Sequence, residues 1–99
     1  MVLSTSQTYL ALDLGAESGR AIVATFDGNK LTLNEIHRFG NGPVRLPDGI
    51  RWDVLRLWSE IKAGIAAAIK GGANPAGIGL DTWGVDFTML NKNGILSHA

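Results

Sequence analysis

An α/β architecture follows from three features of this 99-residue chain. Short apolar runs bounded by glycine and turn residues fill its first third, an apolar repeat of helical period occupies its middle, and short apolar runs return after it. Strands are therefore expected on both sides of a single helix, in the order strand, strand, strand, helix, strand, strand.

Residues 1–8 are polar apart from Val2 and Leu3 and are expected to form a loose leader. Residues 9–14 (Tyr-Leu-Ala-Leu-Asp-Leu) have the pattern of a buried strand in which one charge, Asp13, is out of place. Residues 15–19 make a tight connection, and residues 20–26 form a second strand. Asp27-Gly28-Asn29 is a strong turn signal. Residues 31–39 alternate, which puts Leu31, Leu33, Ile36 and Phe39 on the expected buried side, with a bulge where His37 breaks the alternation. Residues 40–49 hold Gly40, Gly42, Pro43, Pro47 and Gly49 and are expected to be a loop without regular structure. Beyond it Val54, Trp58, Ile61, Ile65 and Ile69 mark one face of a helix, capped by Asp53 and stopped by Gly71-Gly72. Residues 78–80 and 85–90 are expected as the fourth and fifth strands, followed by a turn at 91–94.

Composition narrows the function. The 9 Lys+Arg balance the 9 Asp+Glu, whereas a nucleic-acid binder would carry a basic excess. No cysteine is present, so there is no disulfide framework and no thiolate metal site. Apolar residues at 45 % and charged residues at 18 % are a globular balance. No apolar run approaches the roughly 20 residues of a membrane helix, and the start of the chain lacks the pattern of a secretory signal. A cytoplasmic protein is expected. One helix covers only one face of a five-stranded sheet, and the chain stops as a strand begins after the 91–94 turn. Both observations favour the front part of a larger protein, with an exposed apolar face through which the piece would self-associate.

Two places carry candidate chemistry. Asp13 ends the first strand, and Gly15-Ala16-Glu17-Ser18-Gly19-Arg20 follows at once. A carboxylate there could hold Mg²⁺ through water. The glycines would let backbone N–H groups approach phosphate oxygens, and the Ser18 hydroxyl adds a donor. The alternative is a plain hairpin turn capped by Asp13. The spacing fits neither the Walker A loop nor the dinucleotide fingerprint. The second place is Asp81-Thr82-Trp83-Gly84-Val85-Asp86, where Gly84 could admit a polyhydroxylated ligand and Trp83 could offer it a flat wall. Its alternative is a core tryptophan between turn aspartates. Trp52 and Trp58 are expected to be packing residues, His37 a structural histidine, and Arg45 and Arg51 solvated charges.

Residues 12–20 and 79–87, with Glu35-Ile36-His37-Arg38-Phe39 and the Trp52–Trp58 stretch in the same order, resemble the FGGY family of carbohydrate kinases. The 12–20 block is shared at family level. The 79–87 block resembles the members that act on L-rhamnulose and differs from glycerol and xylulose kinases. The resemblance implies a ribonuclease-H-like (actin-like ATPase) fold in two lobes, with sugar and Mg-ATP between them. Residues 9–99 would be the incomplete front of the first, N-terminal lobe. By the same resemblance Asp13 would help place the metal, and Ala16, Glu17, Ser18, Gly19 and Arg20 would contact the ATP phosphates. Gly84, with Trp83 and Asp81 nearby, would meet the sugar. Glu17 stands where serine is common, so it is expected to point outward and act through its backbone. The family's catalytic base, an aspartate, and its adenosine pocket fall downstream of residue 99, so this chain would hold no catalytic residue and be inactive alone. The implied reaction transfers the ATP γ-phosphoryl to the primary hydroxyl of L-rhamnulose. An L-fuculose kinase, a non-catalytic actin-like ATP-binding protein and a free-standing binding module are the alternatives.

Overall fold

The structure, a computed structural model, describes residues 6–98. Strands β1 (Gln7–Leu14) and β2 (Ser18–Phe26) form an antiparallel hairpin, and β3 (Leu31–Gly40) adds to the outer edge of β2. A second hairpin follows, β4 (Pro43–Leu46) with β5 (Gly49–Trp52), and leads into helix α1 (Val54–Lys70). The chain then returns as β6 (Gly77–Thr82), parallel to β1 on its free side, and closes with the small pair β7 (Met89–Leu90) and β8 (Leu96–His98). The main sheet thus has the order β3-β2-β1-β6. Helix α1 is a mixed α/β fold's one described helix, and none among the described residues is long and apolar enough to cross a membrane.

Local chemistry sets the element ends. Asp27 Oδ1 accepts the N–H groups of Asn29 and Lys30, which turns β2 into β3. Asp53 caps α1 by accepting the Arg56 N–H at 3.2 Å. At the other end the Gly71 N–H bonds the Ala67 carbonyl and the Ala73 N–H bonds the Ala68 carbonyl, so the last carbonyls are not left open. The core is a thin layer in which Leu10, Leu12 and Ala21 of the sheet meet Ala68 of the helix, with Val23, Ile36, Ile61 and Ile65 around them. Gly64 marks the closest approach: a Cβ there would stand 2.8 Å from that of Ala21.

Several expectations are corrected. Gln7 and Thr8, expected in the leader, are already in β1, and the rest of that expectation falls largely on residues 1–5, which lie outside the described residues. Residues 40–49 are not an irregular loop. Pro43 occupies the first position of β4, where its missing N–H is tolerated, and Pro47-Asp48 turn the chain into Gly49, whose φ of +138° only glycine accepts readily. The element order therefore gains a hairpin before the helix. The fifth strand shrinks from 85–90 to Met89–Leu90.

Leu31 and Leu33 are exposed rather than buried. The cause is the bulge expected near His37. Ala21 pairs with His37 while Ile22 pairs with Glu35, so Ile36 is the extra residue. Ile36 and Phe39 thereby face the helix, whereas Leu31 and Leu33, opposite Phe26 and Ala24, fall on the other face. Trp58 and Ile69 are also exposed, because the helix meets the sheet along Ile61, Gly64, Ile65 and Ala68. Small residues allow that close contact, and Trp58 stands outside it under the Lys62 ammonium, 5.5 Å from its ring centre. Helix α1 packs on β1, β2 and β3. It leaves Ile78 and Leu80 of β6 exposed, and the opposite face of the sheet presents Tyr9, Phe26, Leu31 and Leu33 to solvent.

Candidate functional site

Strand register assembles the charges. Asp13 is paired with Arg20 across β1–β2 and with Asp81 across β1–β6, while Arg20 is paired with Arg38 across β2–β3. Paired residues of neighbouring strands share a face. Arg38, Arg20, Asp13 and Asp81 therefore form one row, on the face away from the helix and at the carboxyl ends of β1 and β6. Arg20 Nη1 donates to Asp13 Oδ2 at 3.2 Å and Nη2 donates to Ser18 Oγ at 2.7 Å. The Ser18 hydroxyl accepts that bond and keeps its own proton to donate. Arg20 Nε is buried without a partner, so Asp13 and Ser18 do not satisfy the whole guanidinium. The side chain of Asp13 remains 44 % exposed, within reach of water. Arg38 is engaged elsewhere, by two bonds to Glu35 at 2.7 and 2.9 Å. That bonding holds the Glu35 carboxyl below its ordinary range and raises the Arg38 guanidinium.

The connection after Asp13 is a hairpin turn closed by the Gly15 N–H on the Ser18 carbonyl at 2.9 Å. It is also clamped from outside. The Asn41 N–H donates to the Glu17 carbonyl at 2.9 Å, and Asn41 Nδ2 donates to the Gly15 carbonyl at 2.7 Å. Arg56, in the first turn of α1, donates to the Gly40 carbonyl at 2.7 Å and so steadies the residue before Asn41. Phe39 lies across Gly19: a Cβ on Gly19 would fall 2.1 Å from its ring, so a larger residue would have to displace the ring. Glu17 is exposed, as expected. Asp13 does not cap the turn; it pairs with Arg20.

At the end of β6, Asp81 Oδ1 accepts the Thr82 N–H at 3.0 Å. Trp83 is not a core residue. Its Nε1–H donates to Asp86 Oδ1 at 2.6 Å, and the Asp86 N–H closes the turn on the Trp83 carbonyl at 3.1 Å. Trp52, at the end of β5, meets Trp83 edge to face, with ring centres 6.3 Å apart and planes at 84°. The two rings border a cleft of about 590 Å³ whose wall also includes Pro43, Ile50, Val85 and Phe87. A side chain at Gly84 would meet nothing within 4 Å.

Asp13, Ser18, Arg20 and Asp81 thus come together, with Trp83 and Gly84 following directly on β6. His37 is on the opposite face, bonded to Glu60 of the helix at 2.9 Å. Asn41 and Trp52 were not among the expected site residues; no local pattern distinguishes them, because their partners lie far away in the chain. Among the described residues no cluster of three His, Asp or Glu side chains offers a complete metal cage. Two neighbouring carboxylates at a strand edge nevertheless suit Mg²⁺, which keeps several waters and takes one or two carboxylates.

No family model matches the chain. Curated relatives do. A rhamnulokinase of Oceanobacillus iheyensis is 44 % identical over 87 residues, which are 88 % of this chain and 18 % of that protein. One of Bacteroides thetaiotaomicron is 42 % identical over 90 residues, 91 % of this chain and 19 % of the relative. One of Pectobacterium atrosepticum is 45 % identical over 87 residues, again 18 % of its length. The chain therefore spans just under a fifth of the relatives it matches.

Proposed function

We infer, from a chain that belongs with the rhamnulokinases by its sequence, that it forms the phosphate-facing and sugar-facing edge of an ATP-dependent sugar kinase. The proposed reaction transfers the γ-phosphoryl of ATP to the primary hydroxyl of L-rhamnulose. One observation carries the reading: Asp13, Arg20 and Asp81 stand in register on adjacent strands, beside a clamped glycine turn and an open Gly84. Charged side chains gathered at the carboxyl ends of parallel strands suit a ligand that brings both phosphate and metal.

In this reading Asp13 would hold Mg²⁺ through water, with Asp81 as its neighbour. When bound, the ion neutralises charge on the phosphoryl oxygens. Backbone N–H groups of Ala16, Glu17, Ser18 and Gly19, together with the Ser18 hydroxyl, would meet the ATP phosphates, and Arg20 would add positive charge beside them. Gly84 would let the sugar approach the backbone, and Trp83 would fix its plane. The base that accepts the hydroxyl proton, an aspartate, and the adenosine site are proposed to lie outside these 99 residues. The sheet order β3-β2-β1-β6, with β6 parallel to β1, is compatible with the front of a ribonuclease-H-like first lobe spanning residues 9–99. A cytoplasmic location is proposed with it, since that is where ATP is supplied.

The test is ADP release by the full-length protein with Mg-ATP and a panel of L-rhamnulose, L-fuculose and glycerol. Release dependent on L-rhamnulose is expected. A preference for L-fuculose would move the chain to a sister activity, and release with no sugar in the panel would end the reading.

A further inference from the structure

The cleft beside Trp83 takes no part in the phosphate chemistry, and its wall is unusual for a site that receives a polyhydroxylated ligand. The β4–β5 hairpin supplies Pro43, Ile50 and Trp52, and the segment after β6 supplies Trp83, Val85 and Phe87. Arg51 is also on this wall, but its guanidinium is engaged by Asp48 at 3.3 Å and by the Ile50 carbonyl at 3.1 Å. The Trp83 indole N–H, the polar point of that ring, is turned to Asp86. What remains facing the cleft is aliphatic and aromatic surface. Its position is equally specific. Pro43 comes two residues after Asn41, which bonds the Gly15 carbonyl, and Trp83 follows Thr82, the partner of Leu14. The cleft wall therefore begins two residues along the chain from the clamp on the glycine turn and one residue past the end of β6, beside the carboxylate row.

A ligand that fits this polarity has a hydroxyl at one end and a methyl at the other. We propose that the cleft receives the deoxy end of a 6-deoxyketose, and that Ile50 and Trp52 of the β4–β5 hairpin determine specificity for it. The inference rests on the sugar kinase reading above. In L-rhamnulose the methyl at C6 stands at the far end of the carbon chain from the primary hydroxyl at C1. With C1 at the phosphate edge, C6 enters the cleft. A 6-hydroxy sugar placed the same way must bury a hydroxyl against Ile50 and Trp52 with no partner for it. An apolar pocket rejects an added hydroxyl only partly, by up to roughly 100-fold.

The experiment compares kcat/KM for L-rhamnulose and for its 6-hydroxy counterpart, L-fructose, in the full-length protein. Ile50 is 54 % exposed on a two-stranded hairpin, so Ile50→Ser leaves the fold intact. The expected result is a preference for the deoxy sugar that shrinks by roughly tenfold in Ile50→Ser and in Trp52→Gln. The ATP KM should be unchanged, and Ile50→Val should keep the preference. Equal losses on both sugars, or an unchanged preference in Ile50→Ser, would overturn the assignment. Turnover of neither sugar by the unmutated protein would instead overturn the kinase reading, and this inference with it.

Discussion

Asp13 illustrates how much one residue can reveal. A carboxylate in an otherwise apolar strand is tolerated only with a partner or with water, and the structure supplies both, in Arg20 and in an open face. Asp13→Asn in the full-length protein should raise the Mg²⁺ concentration needed for half-maximal turnover. Thermal unfolding should change by less than about 1 kcal/mol, because a half-exposed ion pair contributes little. An unchanged Mg²⁺ titration would refute the metal role. Asn41 is the opposite case. Its side chain reaches a carbonyl 26 residues away, a pairing that no local pattern encodes. Asn41→Ala removes one neutral hydrogen bond, worth about 1 kcal/mol, so the ATP KM should rise roughly fivefold while the sugar KM stays constant. Acid stability is also set residue by residue. Hydrogen bonds from Arg38 lower the carboxyl pKa of Glu35, and those from the Lys30 and Asn29 N–H groups lower that of Asp27. Both groups stabilise the fold above their unfolded values of 4.5 and 3.8, and that contribution disappears as pH falls through the lower folded values. Unfolding followed across pH 5 to 2 should show the loss, and Glu35→Gln should make the profile shallower.

At the scale of elements, what the sequence reveals depends on how local the cause is. The β1–β2 hairpin, the Asp27 turn, the Asp53 cap and the glycine stop of α1 are written in adjacent residues, and all stand where those residues put them. The same holds for the cap's energetics. Asp53→Ala should cost about 1 kcal/mol in denaturant unfolding, and Asp53→Ser should restore most of it. The misreadings have non-local causes. Periodicity identifies the apolar stripe of α1, yet Gly64 against Ala21 decides which part of that stripe is buried. Trp58 is left outside by a contact made elsewhere. Proline and glycine content points to a loop at 40–49, but a proline opening an edge strand and a glycine after a turn are compatible with a hairpin. That hairpin carries Trp52 to Trp83, which is why half of the cleft wall was not visible in the sequence.

The whole molecule has more surface than its mass explains. Its accessible area is 7036 Å², whereas a compact monomer of this size exposes roughly 5,400 Å². Large apolar side chains stand exposed among the described residues: Tyr9, Phe26, Leu31 and Leu33 on the face without a helix, and Ile78 and Leu80 at the uncovered edge. Exposed apolar patches commonly mark contacts with protein, and the matched relatives are more than five times as long as the matched segment. If the base and the adenosine site lie outside these 99 residues, as proposed, the 99-residue chain alone should release no ADP with sugar and Mg-ATP, because phosphoryl transfer depends on positioning. Leu33→Lys tests the bare face directly. In the 99-residue chain Leu33 is already 61 % exposed, so a lysine should shift unfolding by no more than about 0.5 kcal/mol. In the full-length protein the same lysine would be an unpaired charge under a covering layer, costing about 3 kcal/mol or more. Denaturant unfolding of both lengths, with and without the substitution, reads the difference. A neutral effect in the longer protein would show that this face stays open to water there as well.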